Sequence, residues 1–176
     1  MSPEADAGRV EVAACGNVIY ARAVGKCLQK QGIAFYEFAS AMRKAGCREI
    51  ILDLSECSGM DSTFMGAVMS VKTIFDDADG LKIVNMCQAC EKHFRGIGVL
   101  GLLDLAPGPV AFPPVRLIRL GDPAYGELGR MDVILKVHKR LVELNSDLQA
   151  QFGECIRAIE DELRERRKAD DGKGKT

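Results

Sequence analysis

The chain has 176 residues, of which 47% are hydrophobic and 28% charged, and its formal net charge is -1. This length suits one domain with a substantial core and an additional element, and the composition excludes a wholly disordered chain. The almost neutral charge argues against electrostatic binding to nucleic acid or to a membrane surface, so neither is an expected partner.

The N-terminal segment and the cysteines both favour a cytoplasmic protein. The start MSPEADAGRV has no basic region followed by an apolar stretch, and no window approaches the roughly 18 uninterrupted apolar residues of a membrane span. The seven cysteines form an odd set scattered through predicted core segments, at positions 15, 27, 47, 57, 87, 90 and 155. This is not the spacing of a secreted disulfide framework, so reduced thiols in the cytoplasm are expected.

Residue patterns predict a hairpin, a helix and a buried strand in the first third of the chain. RVEVAA and VIYARAV alternate apolar with polar residues around a turn at 15–17. The segment IAFYEFASAMRKAG has apolar residues at helical spacing, and it ends at Gly46 shortly after two basic residues. EIILDL, at 49–54, is a nearly continuous apolar run, as expected for a strand buried on both faces.

Further helices and strands follow in alternation. A helix is predicted from Ser62 to Phe75, a strand at LKIVNMC, a helix loosened by glycines at ACEKHFRGIGVLGLLDL, and a last strand at VRLIRL after a proline-rich loop. Strands that alternate with helices, after an antiparallel hairpin, predict an α/β fold with a mixed central sheet and helices packed on it.

Residues 130–168 are predicted to form a separate amphipathic extension. Apolar residues recur there at steps of three and four, with His138, Asn145 and Cys155 at intervening seam positions. The pattern predicts one long helix or a helix pair, which either dimerises as a coiled coil or folds back on the sheet to bury its apolar stripe. Residues 1–8 and 169–176 are predicted to be disordered.

The glycine motif GIGVLG, at 96–101, matches G-x-G-x-x-G but lacks the surroundings that this motif requires. A dinucleotide fingerprint follows a strand and opens a helix, so that backbone amides face a pyrophosphate. Here the helix-like segment CEKHFR precedes the glycines. We interpret the motif as a loose helix end and not as a nucleotide site.

The motif CQAC places Cys87 and Cys90 at a predicted strand-to-helix junction, where a helix N-terminus favours a reactive thiolate. His93 follows three residues later, but structural zinc needs four ligands and no second motif supplies them. No metal is therefore expected. A thiol oxidoreductase that uses Cys87 and Cys90 is an alternative function, although this chain uses cysteine freely as a small hydrophobic residue.

Polar side chains gather where the buried strand is predicted to pass into the next helix, in ILDLSECSGMDST. Asp53 and Ser55 end the predicted strand, and Asp61, Ser62 and Thr63 follow a short loop. Asp61 is a good N-cap, but capping needs only that residue. The polar groups are expected to converge at the carboxyl edge of the sheet, where α/β proteins place their sites. This edge is predicted to bind a partner or a phosphate.

The segment DLSECSGMDSTFMGAVM resembles the signature of the STAS domain, the anti-sigma factor antagonist family, in which D-L-S ends a strand and M-D-S-[ST]-G-L-G begins a helix. The matching residues are Asp53, Leu54, Ser55, Met60, Asp61, Ser62, Thr63 and Gly66. More weakly, the resemblance covers residues 9–122, which are predicted to form the domain. Phe64 and Met65 replace the usual Gly-Leu, which predicts a larger apolar side chain on or beside the contact surface.

The resemblance implies a phosphorylation switch in bacterial signalling, and not an enzyme. In this family the anti-sigma factor is a serine kinase that phosphorylates the serine after M-D, here Ser62, with Thr63 less favoured. The unphosphorylated protein binds that kinase, which controls transcription indirectly, and a phosphatase is a further expected partner. The implied partner-binding residues are Asp53, Ser55, Met60, Asp61, Thr63, Phe64 and Gly66. No catalytic residue and no cofactor are expected.

A phosphate at this position has opposite effects on the fold and on an interface. It adds a charge of about -1.5 to -2 at neutral pH. Beside Asp61, this charge repels an acidic partner, and it is costly to desolvate against a tightly packed one. The free amides of a helix N-terminus stabilise the same charge. An alternative within the same fold is a docking subunit of a stressosome-like or lipid-transport assembly, which binds its partner without kinase turnover.

Overall fold

The computed structural model describes residues 8–173, in which six strands form one mixed sheet. The strands are β1 (Arg9–Cys15), β2 (Val18–Cys27), β3 (Glu49–Met60), β4 (Gly80–Val84), β5 (Asp104–Leu105) and β6 (Ile118–Arg119). Their spatial order is β5-β4-β3-β2-β1-β6, with β2 to β5 parallel and β1 antiparallel to both β2 and β6. The predicted α/β class with a mixed sheet is confirmed.

Five helices accompany the sheet: α1 (Gln29–Lys44), α2 (Ser62–Phe75), α3 (Gln88–Gly96), α4 (Glu127–Leu144) and α5 (Gln149–Lys173). The bounds of α2 are those predicted from the sequence. The start of α1 lies upstream of the predicted segment because Gln31 fixes it. The Gln31 side chain accepts a hydrogen bond from Leu28 N at 3.1 Å and donates one to Gly8 O at 2.8 Å.

The hairpin of β1 and β2 follows from local turn chemistry. Cys15 pairs with Val18 across a two-residue loop, and Gly16 has a φ of +60°. Tight hairpin turns with a right-handed twist require positive φ values, which glycine adopts without steric cost. The turn predicted at 15–17 is confirmed.

Strand β3 is twice as long as its apolar segment predicts. It does not end at Asp53 and Ser55 but continues beside β2 to Met60, with two register shifts along the pair. In the added segment Cys57 and Met60 face the core, whereas Ser55, Glu56 and Ser58 are exposed. The sequence SECSGM is therefore a half-buried strand of small residues and not a loop.

Helix α2 is buried on nearly all sides, from Thr63 to Val71 and again at Phe75. Two glycines allow neighbouring helices to approach it closely. A Cβ atom on Gly32 of α1 would lie 2.9 Å from Phe64 Cα, and one on Gly66 would lie 2.7 Å from the carbonyl oxygen of Val137 in α4. Helix α2 is thus enclosed between α1 and α4, as its apolar composition requires.

The C-terminal extension is a helix pair that folds back on the domain. Asn145 ends α4, and its side chain donates to Ile97 O at 3.0 Å and accepts from Asp147 N at 3.2 Å. Helix α5 then runs antiparallel to α4, and three ion pairs join them: Arg167–Asp132, Arg166–Glu127 and Lys139–Glu160. Helix α4 packs on α2 instead of the sheet, and the pair spans 127–173 where the sequence pattern placed it at 130–168. Residues 169–173, which were predicted to be disordered, form the end of α5, whereas 1–7 and 174–176 lie outside the described residues. Cys155, predicted at the seam, is exposed.

Helix α3 and strand β6 are shorter than predicted. Helix α3 ends at Gly96, and Gly98, with a φ of +71°, turns the chain away, so the glycine motif lies at a helix end as interpreted. The last predicted strand is reduced to the two residues of β6, which pair with β1. Among residues 8–173, no helix has both the length and the apolar character that a membrane span requires.

Candidate functional site

Asp61 joins the N-termini of two helices through one carboxylate. Its Oδ1 accepts a hydrogen bond from Phe64 N at 2.8 Å, which caps α2. Its Oδ2 accepts a second bond from Gln29 N, the first residue of α1, also at 2.8 Å. Asp61 is therefore the predicted N-cap, and the sequence did not indicate that it also holds α1.

Ser62 is the first residue of α2, and its hydroxyl is bonded to the C-terminal extension. Ser62 Oγ lies 3.0 Å from His138 Nε2, and His138 Nδ1 lies 2.8 Å from the carbonyl oxygen of Ile134. A carbonyl oxygen only accepts, so Nδ1 carries the proton in this pair. In the neutral imidazole Nε2 is then the acceptor, and the hydroxyl of Ser62 donates to it.

The extension shields the His138 side of the Ser62–His138 pair from solvent. The His138 side chain is only 5% exposed, and the ring of Phe152 in α5 packs against it edge-on, with centroids 5.2 Å apart. Ser62 itself is half-buried. The sequence showed His138 as a polar residue in an apolar seam, which indicates a buried polar partner, but the pattern does not say which residue that partner is.

The other predicted contact residues near Ser62 are buried within the protein. Thr63 is 5% exposed and Met60 is also 5% exposed. Phe64 is fully buried and stacks on Phe35, with centroids 6.4 Å apart. It is therefore not the larger apolar side chain on a contact surface that its place in the motif predicts. Gly66 faces Val137 of α4.

Asp53 and Ser55 lie in a polar cluster of their own. The carboxylate of Asp53 is 2% exposed, lies 3.2 Å from Arg22 Nε, and accepts a hydrogen bond from Ser55 N at 2.9 Å. Because β3 continues from Asp53 to Met60 at about 3.3 Å per residue, roughly 20 Å of strand separates this cluster from Asp61. The structure does not bring the two sets of polar residues together, contrary to the expectation from the sequence.

The cysteine motif lies where it was predicted, and it has neighbours that the sequence did not reveal. Cys87 caps α3, and its Sγ accepts a hydrogen bond from Cys90 N at 3.5 Å. Hydrogen bonding with the neighbouring thiols of Cys27 and Cys90 lowers the pKa of Cys57, and the same interaction together with burial raises the pKa values of Cys27 and Cys90. In the structure the thiol of Cys27 lies 3.7 Å from Val24 O, and that of Cys90 lies 3.6 Å from Cys57 O. All seven cysteines are free, and in the described part of the chain no group of His, Cys, Asp and Glu could hold a metal ion.

Comparison with solved structures places this architecture among known folds. An anti-sigma factor antagonist from Mycobacterium paratuberculosis superposes with a TM-score of 0.51 at 16% sequence identity, over 61% of this chain and 90% of that chain. The chain has the fold of an anti-sigma factor antagonist. This is the STAS fold that the motif around Ser62 indicates.

Two structures of the antagonist SpoIIAA are also similar to the chain. The unphosphorylated form has a TM-score of 0.47 at 18% identity, over 55% of this chain and 87% of that chain. The phosphorylated form, described as a Bacillus cell fate determinant, has a TM-score of 0.46 at 20% identity, over 57% and 91%. No protein-family model and no curated protein matches the sequence, so the likeness to the antagonists is one of fold.

Proposed function

We propose that this protein is an anti-sigma factor antagonist, a cytoplasmic binding module without catalytic activity that phosphorylation of Ser62 switches off. The observation that carries the proposal is the place of Ser62: it opens α2, directly after the parallel strand β3, within the motif MDST of an antagonist fold. Unphosphorylated, the protein binds an anti-sigma factor that is a serine kinase, and so controls transcription indirectly. A phosphatase restores this form.

The local electrostatics support Ser62 as the modified residue. A phosphate there adjoins the free amides of the first turn of α2, which stabilise its negative charge. Together with the neighbouring carboxylate of Asp61, the phosphate repels an acidic partner. The neighbouring Thr63 is 5% exposed, whereas Ser62 is half-buried. A kinase therefore reaches the hydroxyl of Ser62 more readily than that of Thr63.

The helix pair adds a level of control to this switch. The hydroxyl of Ser62 lies 3.0 Å from the imidazole of His138, a gap that leaves no room for a phosphate. Phosphorylation of Ser62 thus requires α4 to move away from the start of α2. The kinase competes with the extension for this surface, and the phosphate, once attached, keeps the extension from returning.

Mass spectrometry tests the proposed modification directly. The protein is incubated with Mg²⁺-ATP and the kinase that co-purifies with it from cells of its source, and the phosphorylated peptide is sequenced. We expect phosphate on Ser62 and none on a Ser62→Ala variant. Incorporation at another residue, or no incorporation while the kinase phosphorylates itself, would contradict the switch.

A docking subunit without kinase turnover is the second candidate function, because the hydroxyl of Ser62 is engaged by His138 in this structure. The two functions differ in the effect of a negative charge at Ser62. In the switch, a Ser62→Asp variant loses its partner in a pull-down. A docking subunit retains its partner, and that partner is an assembly component instead of a kinase.

The thiol oxidoreductase alternative finds less support in the geometry. Cys90 is fully buried, and hydrogen bonding to Cys57 together with burial raises its pKa. Exchange with a protein disulfide needs an accessible thiolate. Cys87 is half-buried, so the motif admits a small reactant more readily than a protein substrate.

A further inference from the structure

Four of the seven cysteines lie at or near the carboxyl ends of the parallel strands. Cys27 ends β2, Cys57 lies near the end of β3, and Cys87 and Cys90 stand in the first turn of α3. The Cys87 thiol donates to the carbonyl oxygen of Cys57 at 3.0 Å, and the Cys90 thiol lies 3.6 Å from the same oxygen. The proposed antagonist function uses none of these four residues.

The sulfurs of Cys87 and Cys90 are 3.4 Å apart, which is close to van der Waals contact and without an intervening atom. The two residues are separated by one helical turn, the spacing at which side chains on a helix meet. A disulfide requires a sulfur separation of about 2.05 Å, so closing the pair moves the sulfurs by little more than 1 Å.

The four sulfurs differ in their access to solvent. Cys27, Cys57 and Cys90 are at most 2% exposed, whereas Cys87 is half-buried. Cys87 also stands at a helix N-terminus, where negative charge is stabilised, and the thiolate is the form of cysteine that oxidants attack. A small oxidant therefore meets Cys87 first, and Cys90 lies behind it.

We propose that Cys87 and Cys90 form a hydroperoxide-reactive dithiol, which this structure shows in its reduced state. The Cys87 thiol releases its proton to solvent and the thiolate attacks the hydroperoxide: an S–O bond forms, the O–O bond breaks, and the alkoxide or hydroxide takes up a proton and leaves as alcohol or water. The sulfur of Cys90 then attacks that of Cys87: an S–S bond forms, the S–O bond breaks, and hydroxide leaves as water with the proton of Cys90. The two thiols lose two electrons, which reduce the hydroperoxide.

The disulfide also changes the contacts between strand and helix. Both thiols that point at the Cys57 carbonyl lose their protons, so this oxygen loses its two sulfur donors. Cys57 lies four residues before Asp61 on the strand that leads to Ser62. The dithiol site does not depend on the proposed function of Ser62, since its chemistry involves other residues.

The test uses the full chain with Cys15→Ser and Cys155→Ser, because these two exposed thiols would otherwise react first. The protein is treated with hydrogen peroxide, denatured, alkylated with N-ethylmaleimide and mapped by mass spectrometry. We expect a peptide in which Cys87 and Cys90 are linked and escape alkylation, while Cys27, Cys47 and Cys57 are labelled. Dithiothreitol should restore both labels.

A second variant keeps the result decisive. Cys90→Ser removes the resolving thiol with minimal change in volume, so Cys87 should accumulate as the sulfenic acid, which dimedone traps. The proposal is overturned if Cys87 and Cys90 both remain alkylatable after peroxide treatment, if Cys87 pairs with Cys57, or if dimedone labels no Cys87 in the Cys90→Ser variant.

Discussion

Asp61 and Ser62 are neighbours with separate tasks. The carboxylate of Asp61 fixes the starts of α1 and α2, so its work is structural. The hydroxyl of Ser62 makes its bond to His138, a residue 76 positions away in the extension. In the proposed switch, phosphorylation of Ser62 therefore releases the extension and leaves the junction of α1 and α2 intact.

We predict that Asp61→Ala lowers the free energy of unfolding by about 1 to 2 kcal/mol, since it removes an N-cap and a second hydrogen bond to Gln29 N. Asp76→Ala is the matched control, because Asp76 forms only an exposed i,i+4 ion pair with Lys72. That change should stay within about 0.5 kcal/mol. Urea unfolding of both variants measures the difference, and equal losses would contradict the double role of Asp61.

The local signals of the sequence predicted individual residues well where the interaction itself is local. Gly16 marks the hairpin turn and Asp61 marks the start of α2, because each acts within a few residues of its own position. The partner of Ser62 could not be predicted in this way. His138 shows only that a polar group is buried in a seam, and the pairing depends on how α4 crosses α2.

At the scale of elements, α2 owes its position to the two glycines that line it. Gly66 brings the backbone of α4 into contact with α2, which places His138 over Ser62. Gly32 does the same for α1 at Phe64. A helix that is buried on nearly all sides, as α2 is, needs covers on more than one side, and the extension supplies one of them.

Gly66→Ala should destabilise the protein by about 1 to 3 kcal/mol, although alanine favours a helix, because the new methyl group would overlap the Val137 carbonyl. Gly96→Ala serves as the control, since nothing lies within 4 Å of its added Cβ. Thermal unfolding should show a lower Tm for Gly66→Ala alone. A Gly66→Ala variant as stable as Gly96→Ala would show that α4 does not pack against α2 at this point.

Strand β3 shows where element boundaries escape sequence patterns. EIILDL is recognisable because its apolar run is continuous, but SECSGM pairs with β2 through two register shifts and small residues. Its buried positions carry Cys57 and Met60. With glycine and serines beside them, these residues do not predict a strand, because the segment lacks β-branched and aromatic residues. Asp53 and Ser55 therefore lie well inside the strand and not at the sheet edge, where the apolar run predicts them.

At the scale of the whole molecule, the extension is a cover that packs on α2 through α4, and ion pairs join its two helices. Phe152 connects its two helices, since it packs on His138 of α4 from α5. The fold of the antagonist from Mycobacterium paratuberculosis covers 61% of this chain, so a large part of the chain has no counterpart in that structure. In the proposed switch, the extension controls access to Ser62 through His138.

Phe152→Ala should loosen this cover, because truncating a buried phenylalanine costs about 3 to 5 kcal/mol. We expect the backbone amides of α4 and α5 to exchange hydrogen about tenfold faster or more, while those of β2 and β3 keep their protection. Gln151→Ala, at the exposed neighbouring position, is the control. Faster exchange throughout the sheet would show that the extension is part of the central folding unit and not a separable cover.

The most direct test of the account is the rate at which the kinase phosphorylates Ser62 when His138 can no longer hold it. His138→Leu places a side chain of similar size under Phe152 but removes the acceptor of the Ser62 hydroxyl. The matched control is His93→Leu, at the other histidine, which is exposed. The lost hydrogen bond is worth about 1 kcal/mol, so His138→Leu should be phosphorylated several-fold faster, up to about tenfold. Equal rates for the wild type and both variants would contradict the claim that the extension guards Ser62.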